Sequence, residues 1–121
     1  MIDLPSALSA KAHAVVPGPQ YNEHRRALIA RDERIMVYEA MLTPERPWQT
    51  LVDKVMPPMA RYLTAKRMDP ERPRGVMIAL FLGEQCYVLP AEDLVALYLE
   101  GEGLDREGFR MRVRGWLRHG D

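Results

Sequence analysis

The apolar residues between Asn22 and Leu42 recur with a helical period. Leu28, Ile35 and Leu42 are spaced seven residues apart, which places them on one face of a helix. Asn22 suits the N-cap position, because its side chain can accept a hydrogen bond from a free N–H group of the first turn. The pattern therefore predicts a first helix over residues 22–42.

Prolines divide the next apolar stretch into two further helices. Pro47 suits the first turn of a second helix that continues to Met56, and Pro58 can begin a third that continues to Met68. Asp69 precedes Pro70, and a residue before proline avoids the helical conformation. We expect three helices before residue 70.

The following segment has the pattern of a β-hairpin. Residues 76–82 are continuously apolar, Gly83-Glu84 follows, and residues 85–89 are again largely apolar. Glycine at the first central position favours a type II′ turn. A strand without polar alternation needs cover on both faces, which a lone hairpin cannot provide. Helices should therefore pack on both faces, or a second subunit should extend the sheet into a homodimer through the hairpin.

Two more helices are predicted after the hairpin. Pro90 precedes a fourth helix over residues 91–100, and Asp105 suits the N-cap of a fifth over residues 105–118. Residues 109–117 taken alone fit both a strand and a helix, because their apolar side chains alternate as in a strand and also recur at helical spacing. The cap at Asp105 favours the helix.

These elements predict an α+β protein: a mostly helical single domain, in the order three helices, β-hairpin, two helices. The chain has 121 residues, a size typical of one domain. Residues 1–20 contain three prolines around a stretch of small residues, a composition typical of a loose segment. We expect an N-terminal arm over 1–20 and the folded domain over 21–121.

Charge is balanced overall but uneven along the chain. The formal net charge is zero, which removes the bulk electrostatic argument for a nucleic-acid or membrane partner. Locally, residues 61–74 hold five basic and two acidic side chains, whereas residues 84–107 hold seven acidic and one basic. The single cysteine and the absence of a long apolar run are typical of a cytoplasmic protein without a membrane partner.

The basic segment 61–74 suggests contact with DNA. Three helices followed by a hairpin is the order of a winged helix, in which residues 58–68 would lie in the major groove. The short acidic hairpin tip argues against that arrangement, since a wing that meets phosphate should be neutral or basic. The candidate nucleic-acid-binding residues of this segment are Arg61, Lys66, Arg67 and Arg74.

The last helix carries a second set of basic residues. Arg110, Arg114 and Arg118 are spaced four residues apart, so they follow one side of the helix and could contact phosphates. Alternatively, they complement the helix dipole and the acidic stretch before them.

Catalytic chemistry is poorly supported by the sequence. The three histidines are scattered, no pair has metal-ligand spacing, and there is no glycine-rich phosphate loop. Cys86 lies between apolar neighbours, where a free cysteine is usually a small core residue. We predict no catalytic residue, no metal and no cofactor.

The function expected from the sequence is that of a small, non-enzymatic regulatory or adaptor protein that binds a macromolecule. Nucleic acid, DNA in particular, is slightly preferred, because that hypothesis assigns specific arginines. The alternative is a protein–protein interaction module, an inhibitor or assembly subunit, that uses apolar and methionine-rich surface. Trp48 and Trp116 are its candidate interface anchors.

Overall fold

The computed structural model describes residues 2–119, except for the side chain of His119. Residues 1, 120 and 121, which the predicted arm and domain include, lie outside this range. The helices are α1 Leu4–Lys11, α2 Tyr21–Arg31, α3 Pro47–Thr50, α4 Met56–Ala65, α5 Ala91–Glu102 and α6 Arg106–His119. The strands are β1 Ala14–Pro17, β2 Met36–Met41, β3 Val76–Leu82 and β4 Gln85–Pro90. The predicted α+β class with mostly helical content is confirmed.

The four strands form one mixed sheet in the order β1-β4-β3-β2. β4 is antiparallel to both β1 and β3, whereas β2 is parallel to β3. The predicted hairpin is present, and Gly83 alone of its two turn residues has a positive φ, at 61°, as a type II′ turn requires. Both hairpin strands are paired on each side, so the hairpin has no free edge for a second copy.

The predicted helix over 22–42 is wrong in its second half. α2 ends at Arg31, and residues 36–41 form β2. Met36 and Tyr38 pack on one side of the sheet and Val37 on the other, the alternation of a strand. Residues 22–89 therefore form a helix, a strand, a helical segment and a hairpin, so β2 is a strand that the predicted order of three helices and a hairpin lacked.

The N-terminal segment is part of the fold, so the predicted arm is corrected for residues 2–20. Leu4 and Leu8 of α1 are fully buried in the main core, with 1% and 0% of their surface exposed. β1 pairs with β4, with Ala14 opposite Val88. The sequence signal was weak, because α1 has only these two buried positions and β1 only four residues.

The predicted second and third helices join into one helical segment. A π-helical turn, Leu51–Val55, connects α3 directly to α4. Pro57 and Pro58 lie in the first turn of α4, where the missing proline N–H removes no helical hydrogen bond within α4 itself. The segment covers the same side of the sheet as α1, α5 and α6, where the main core lies. Among the helices that the structure describes, α2 alone covers the other side, over Ala79, Cys86 and Val88.

Candidate nucleic-acid interface

α4 and the loop after it pack against α6. Arg61 Nη1 on α4 donates a hydrogen bond to the backbone oxygen of Trp116, at 3.4 Å. At the other end of α6, Arg106 Nη1 donates to the backbone oxygen of Glu71, at 2.9 Å. The two helices therefore run antiparallel. We call the outer side of α4, the loop 66–74 and the adjoining side of α6 the α4–α6 surface.

This packing brings the two predicted basic segments together. Arg110 Nε lies 3.2 Å from Glu71 Oε1, so this side of α6 faces the loop after α4. Arg114 and Arg118 follow at steps of four residues, which keeps them on the same side of the helix. Segments 61–74 and 106–118 together hold ten basic and three acidic residues. The two segments are far apart in the sequence, which did not predict that they would be adjacent.

Most of the predicted basic residues project into solvent. Those that are exposed and have no ion pair within residues 2–119 are Lys66, Arg67, Arg74, Arg114 and Arg118. Lys66 Nζ lies 5.7 Å from the ring centre of Tyr62. Arg110 is instead partly neutralised, since it pairs with Glu71 and also with Glu107, at 3.1 Å. The α4–α6 surface thus retains these five predicted cations, and the exposed Arg72 of the same loop as a sixth, without an ion pair that would compete with an anionic partner.

Arg67 has an unusual backbone conformation. It follows α4 with a φ of 61° and is the one non-glycine residue with positive φ in the described part of the chain. The N–H of Met68 bonds to the oxygen of Leu63, at 2.9 Å, the hydrogen bond of a Schellman helix end. Glycine normally occupies this position, because a side chain costs about 1–2 kcal/mol there.

Arg112 belongs to a separate network on the other side of α6. Its Nη1 donates to Glu102 Oε1 and to the hydroxyl of Tyr98, each at 2.7 Å. Trp48 Nε1 donates to the second oxygen of Glu102, at 3.0 Å. Arg112 and then Trp48 are the main causes that hold the pKa of Glu102 below its ordinary value. This network joins α3, α5 and α6 and has a structural role.

The two tryptophans predicted as interface anchors are half-buried in an internal aromatic cluster. Trp48 stacks on Tyr98 with ring centres 6.5 Å apart, and Trp116 meets Tyr98 edge-on at 6.0 Å. Trp116 also packs on Phe109. These contacts hold α6 against the domain, and an interface role for either residue stays a prediction.

The geometry around Cys86 does not favour nucleophilic chemistry. The residue is fully buried, and burial, followed by the nearby Glu39 carboxylate, raises the pKa of its thiol to about 11. A thiol with this pKa has little thiolate at neutral pH. Among the side chains that the structure describes, no group of three or more His, Cys, Asp or Glu residues could hold a metal ion.

Comparison of the chain with protein-family models, curated proteins and solved structures found no match. Among the described helices, none is both long and apolar enough to cross a bilayer.

Proposed function

We propose that this protein binds nucleic acid, DNA in particular, through the α4–α6 surface, and that it acts as a binding protein without catalysis. The supporting observation is that one surface combines two distant basic segments and presents six exposed cations that have neither an ion pair nor a side-chain hydrogen bond within the described part of the chain. Cations of this kind neutralise phosphates and release condensed counterions, which supplies most of the affinity for nucleic acid.

The spacing on α6 fits contacts to a phosphate backbone. A helix rises about 1.5 Å per residue, so Arg114 and Arg118 lie about 6 Å apart along its axis. Phosphate contacts determine position and orientation on the duplex but carry no sequence information. Because the net charge of the chain is zero, the attraction is local, and salt should weaken it strongly.

The conformation of Arg67 adds support. Strained backbone is often retained at functional sites, where the surrounding structure stabilises it. The backbone of Arg67 is hydrogen-bonded to the end of α4, but its exposed side chain has no hydrogen bond or ion pair with another described residue that would explain an arginine at a position that favours glycine. A role for its charge in ligand binding would account for its presence.

Binding can be tested by fluorescence anisotropy with labelled duplex and single-stranded oligonucleotides over a salt series. Arg114→Ala and Arg118→Ala should each weaken duplex binding. Each should also make the negative slope of log K against log salt shallower by about 1. Arg26→Ala is the matched control, because Arg26 is an exposed arginine on α2, on the other side of the sheet. It should leave binding unchanged.

Two results would contradict the proposal. One is the lack of binding at low salt by the wild-type protein. The other is equal loss of affinity in the Arg26→Ala and Arg114→Ala variants, which would show a diffuse charge effect with no defined surface.

The second candidate function is a protein–protein interaction module. The observation that favours it is not the tryptophan pair, which packs internally, but the outer edge of β2. β2 is the last strand of the sheet and carries an exposed methionine, Met41.

A further inference from the structure

β2 has a hydrogen-bonding edge that no other part of the described chain covers. The N–H groups of Met36 and Leu42 donate to the oxygens of Gly75 and Phe81, so the even-numbered residues of β2 bond to β3. In a parallel pair, the backbone N–H and C=O groups of the alternate residues point away from the partner strand. The backbone groups of Val37, Glu39 and Met41 therefore point outward, without a partner among residues 2–119.

The two edges of the sheet differ in how they are protected. β1 has only four residues and ends at Pro17, and short strands and prolines both discourage pairing with another chain. β2 has six residues and contains neither lysine nor proline. Its single charge, Glu39, is neutralised within its own chain by Arg25 Nε at 3.3 Å. β2 is therefore an unprotected edge.

Apolar side chains flank this edge on both faces of the sheet. Met41 is 73% exposed on the α2 side. On the opposite side Tyr62 of α4 is 38% exposed and packs against Tyr38 of β2, with ring centres 5.2 Å apart. Pairing with another strand would cover both side chains as well as the free backbone groups.

We propose that β2 pairs antiparallel with β2 of a second copy of this chain, about a two-fold axis. Arg25 neutralises Glu39 within the same chain, so the edge of β2 has no net charge that would attract a charged strand. The strand that fits this edge is therefore apolar and without net charge, and β2 itself is such a strand. A register centred on Tyr38 or Ala40 places Glu39 opposite Val37 or Met41 of the second copy. The two carboxylates then avoid facing each other, so the strand is complementary to itself, as an isologous interface requires.

The dimer would extend the sheet to eight strands. With the two-fold axis perpendicular to the sheet, the α4 helices of both copies lie on the same side of it. The two α4–α6 surfaces would then point in the same general direction, and a single extended ligand could contact both, with a gain in avidity. The dimer itself does not depend on nucleic-acid binding.

The test is the molar mass in solution, measured by sedimentation velocity and light scattering over a concentration series. The wild-type protein should have twice the mass of the chain, and Met41→Lys should shift it to the mass of one chain. Val15→Lys is the matched control, because Val15 is 44% exposed on the other edge strand, β1. It should leave the dimer intact, and circular dichroism should show that both variants are folded.

A second measurement needs no variant. In the wild-type dimer the amides of Glu39 and Met41 should exchange slowly with solvent, as slowly as those of Tyr38 and Ala40, which bond to β3. The proposal is overturned by the mass of one chain at every concentration, by a dimer that survives Met41→Lys, or by fast exchange of the Glu39 and Met41 amides in a dimer.

Discussion

The indole ring of Trp48 lies directly against the backbone of Gly101. A Cβ atom on residue 101 would be only 2.1 Å from Cη2 of the ring. The same indole stacks on Tyr98 and donates a hydrogen bond to Glu102. The absence of a side chain at residue 101 therefore allows α3 to approach α5 and places Trp48 in the network that holds α6.

Gly101→Ala should destabilise the protein in spite of the better helix propensity of alanine. The new methyl group must displace the Trp48 ring, an overpacking effect that costs about 1–3 kcal/mol. Gly115→Ala is the control, because no atom lies within 4 Å of a Cβ built at this position in α6. It should raise stability by about 0.5–1 kcal/mol. Urea denaturation measures both, and a stabilising Gly101→Ala would contradict the close packing.

Glu102 should contribute to the dependence of stability on pH. Its folded-state pKa lies below the ordinary value of 4.5, so the contribution is fully present above that value and is lost as the pH falls through the folded pKa. Glu102→Gln should lower the free energy of unfolding at neutral pH by about 1–2 kcal/mol and flatten its decline in acid. Glu100→Gln, at an exposed site on the same helix, should do neither. Unfolding curves at several pH values test this.

Arg67→Gly should separate stability from binding. Glycine adopts the positive φ of 61° without steric cost, so the variant should be more stable by about 1 kcal/mol, while the loss of one cation should weaken nucleic-acid binding. Arg74→Gly removes the same charge where φ is not positive and should weaken binding without the gain in stability. Thermal unfolding measures the stability of the two variants, and fluorescence anisotropy measures their affinity for nucleic acid. An Arg67→Gly variant with unchanged affinity would remove Arg67 from the proposed interface.

Glu71→Gln should strengthen nucleic-acid binding. Glu71 partly neutralises Arg110, so its replacement by a neutral side chain leaves Arg110 with the exposed Glu107 as its one charged partner among the described residues and makes its charge more available on the α4–α6 surface. The negative slope of log K against log salt should become steeper by about 0.9, the value for one additional phosphate contact. Glu84→Gln makes the same charge change at the exposed hairpin turn and should have little effect. Equal gains in both variants would indicate that net charge alone matters.

The parts of the fold that the sequence predicted are those determined by local chemistry. Asp105 accepts a hydrogen bond from the N–H of Gly108, at 2.8 Å, which confirms the cap and the helical nature of residues 106–119. The hairpin turn at Gly83 is likewise confirmed. α5 begins after Pro90 as expected but ends two residues later than predicted, because Gly103 and not Gly101 has the left-handed conformation.

The parts that the sequence did not predict depend on distant residues. Residues 36–41 fit a helix continued from α2, and only pairing with β3 makes them a strand, an example of tertiary context that overrides a local pattern. α1 and β1 are likewise stabilised by contacts with the rest of the chain.

The candidate site, like the fold, could be predicted from the sequence only in part. The basic residues could be identified from composition, but their assembly into one surface depends on the packing of α4 against α6. The partial neutralisation of Arg110 by Glu71 depends on that packing too, since these residues are far apart in sequence. An acidic residue inside a basic segment was the only sequence signal for this ion pair.

The pairing of β1 with β4 has a consequence for synthesis of the protein. Ala14 lies opposite Val88, so β1 is made long before the strand with which it pairs. Contacts of such long sequence separation slow folding, and β3 pairs with β2 on one side but has an unpaired edge on the other until β4 has been made. Nascent chains that stop between β3 and β4 should therefore be the most prone to aggregate and the most dependent on chaperones.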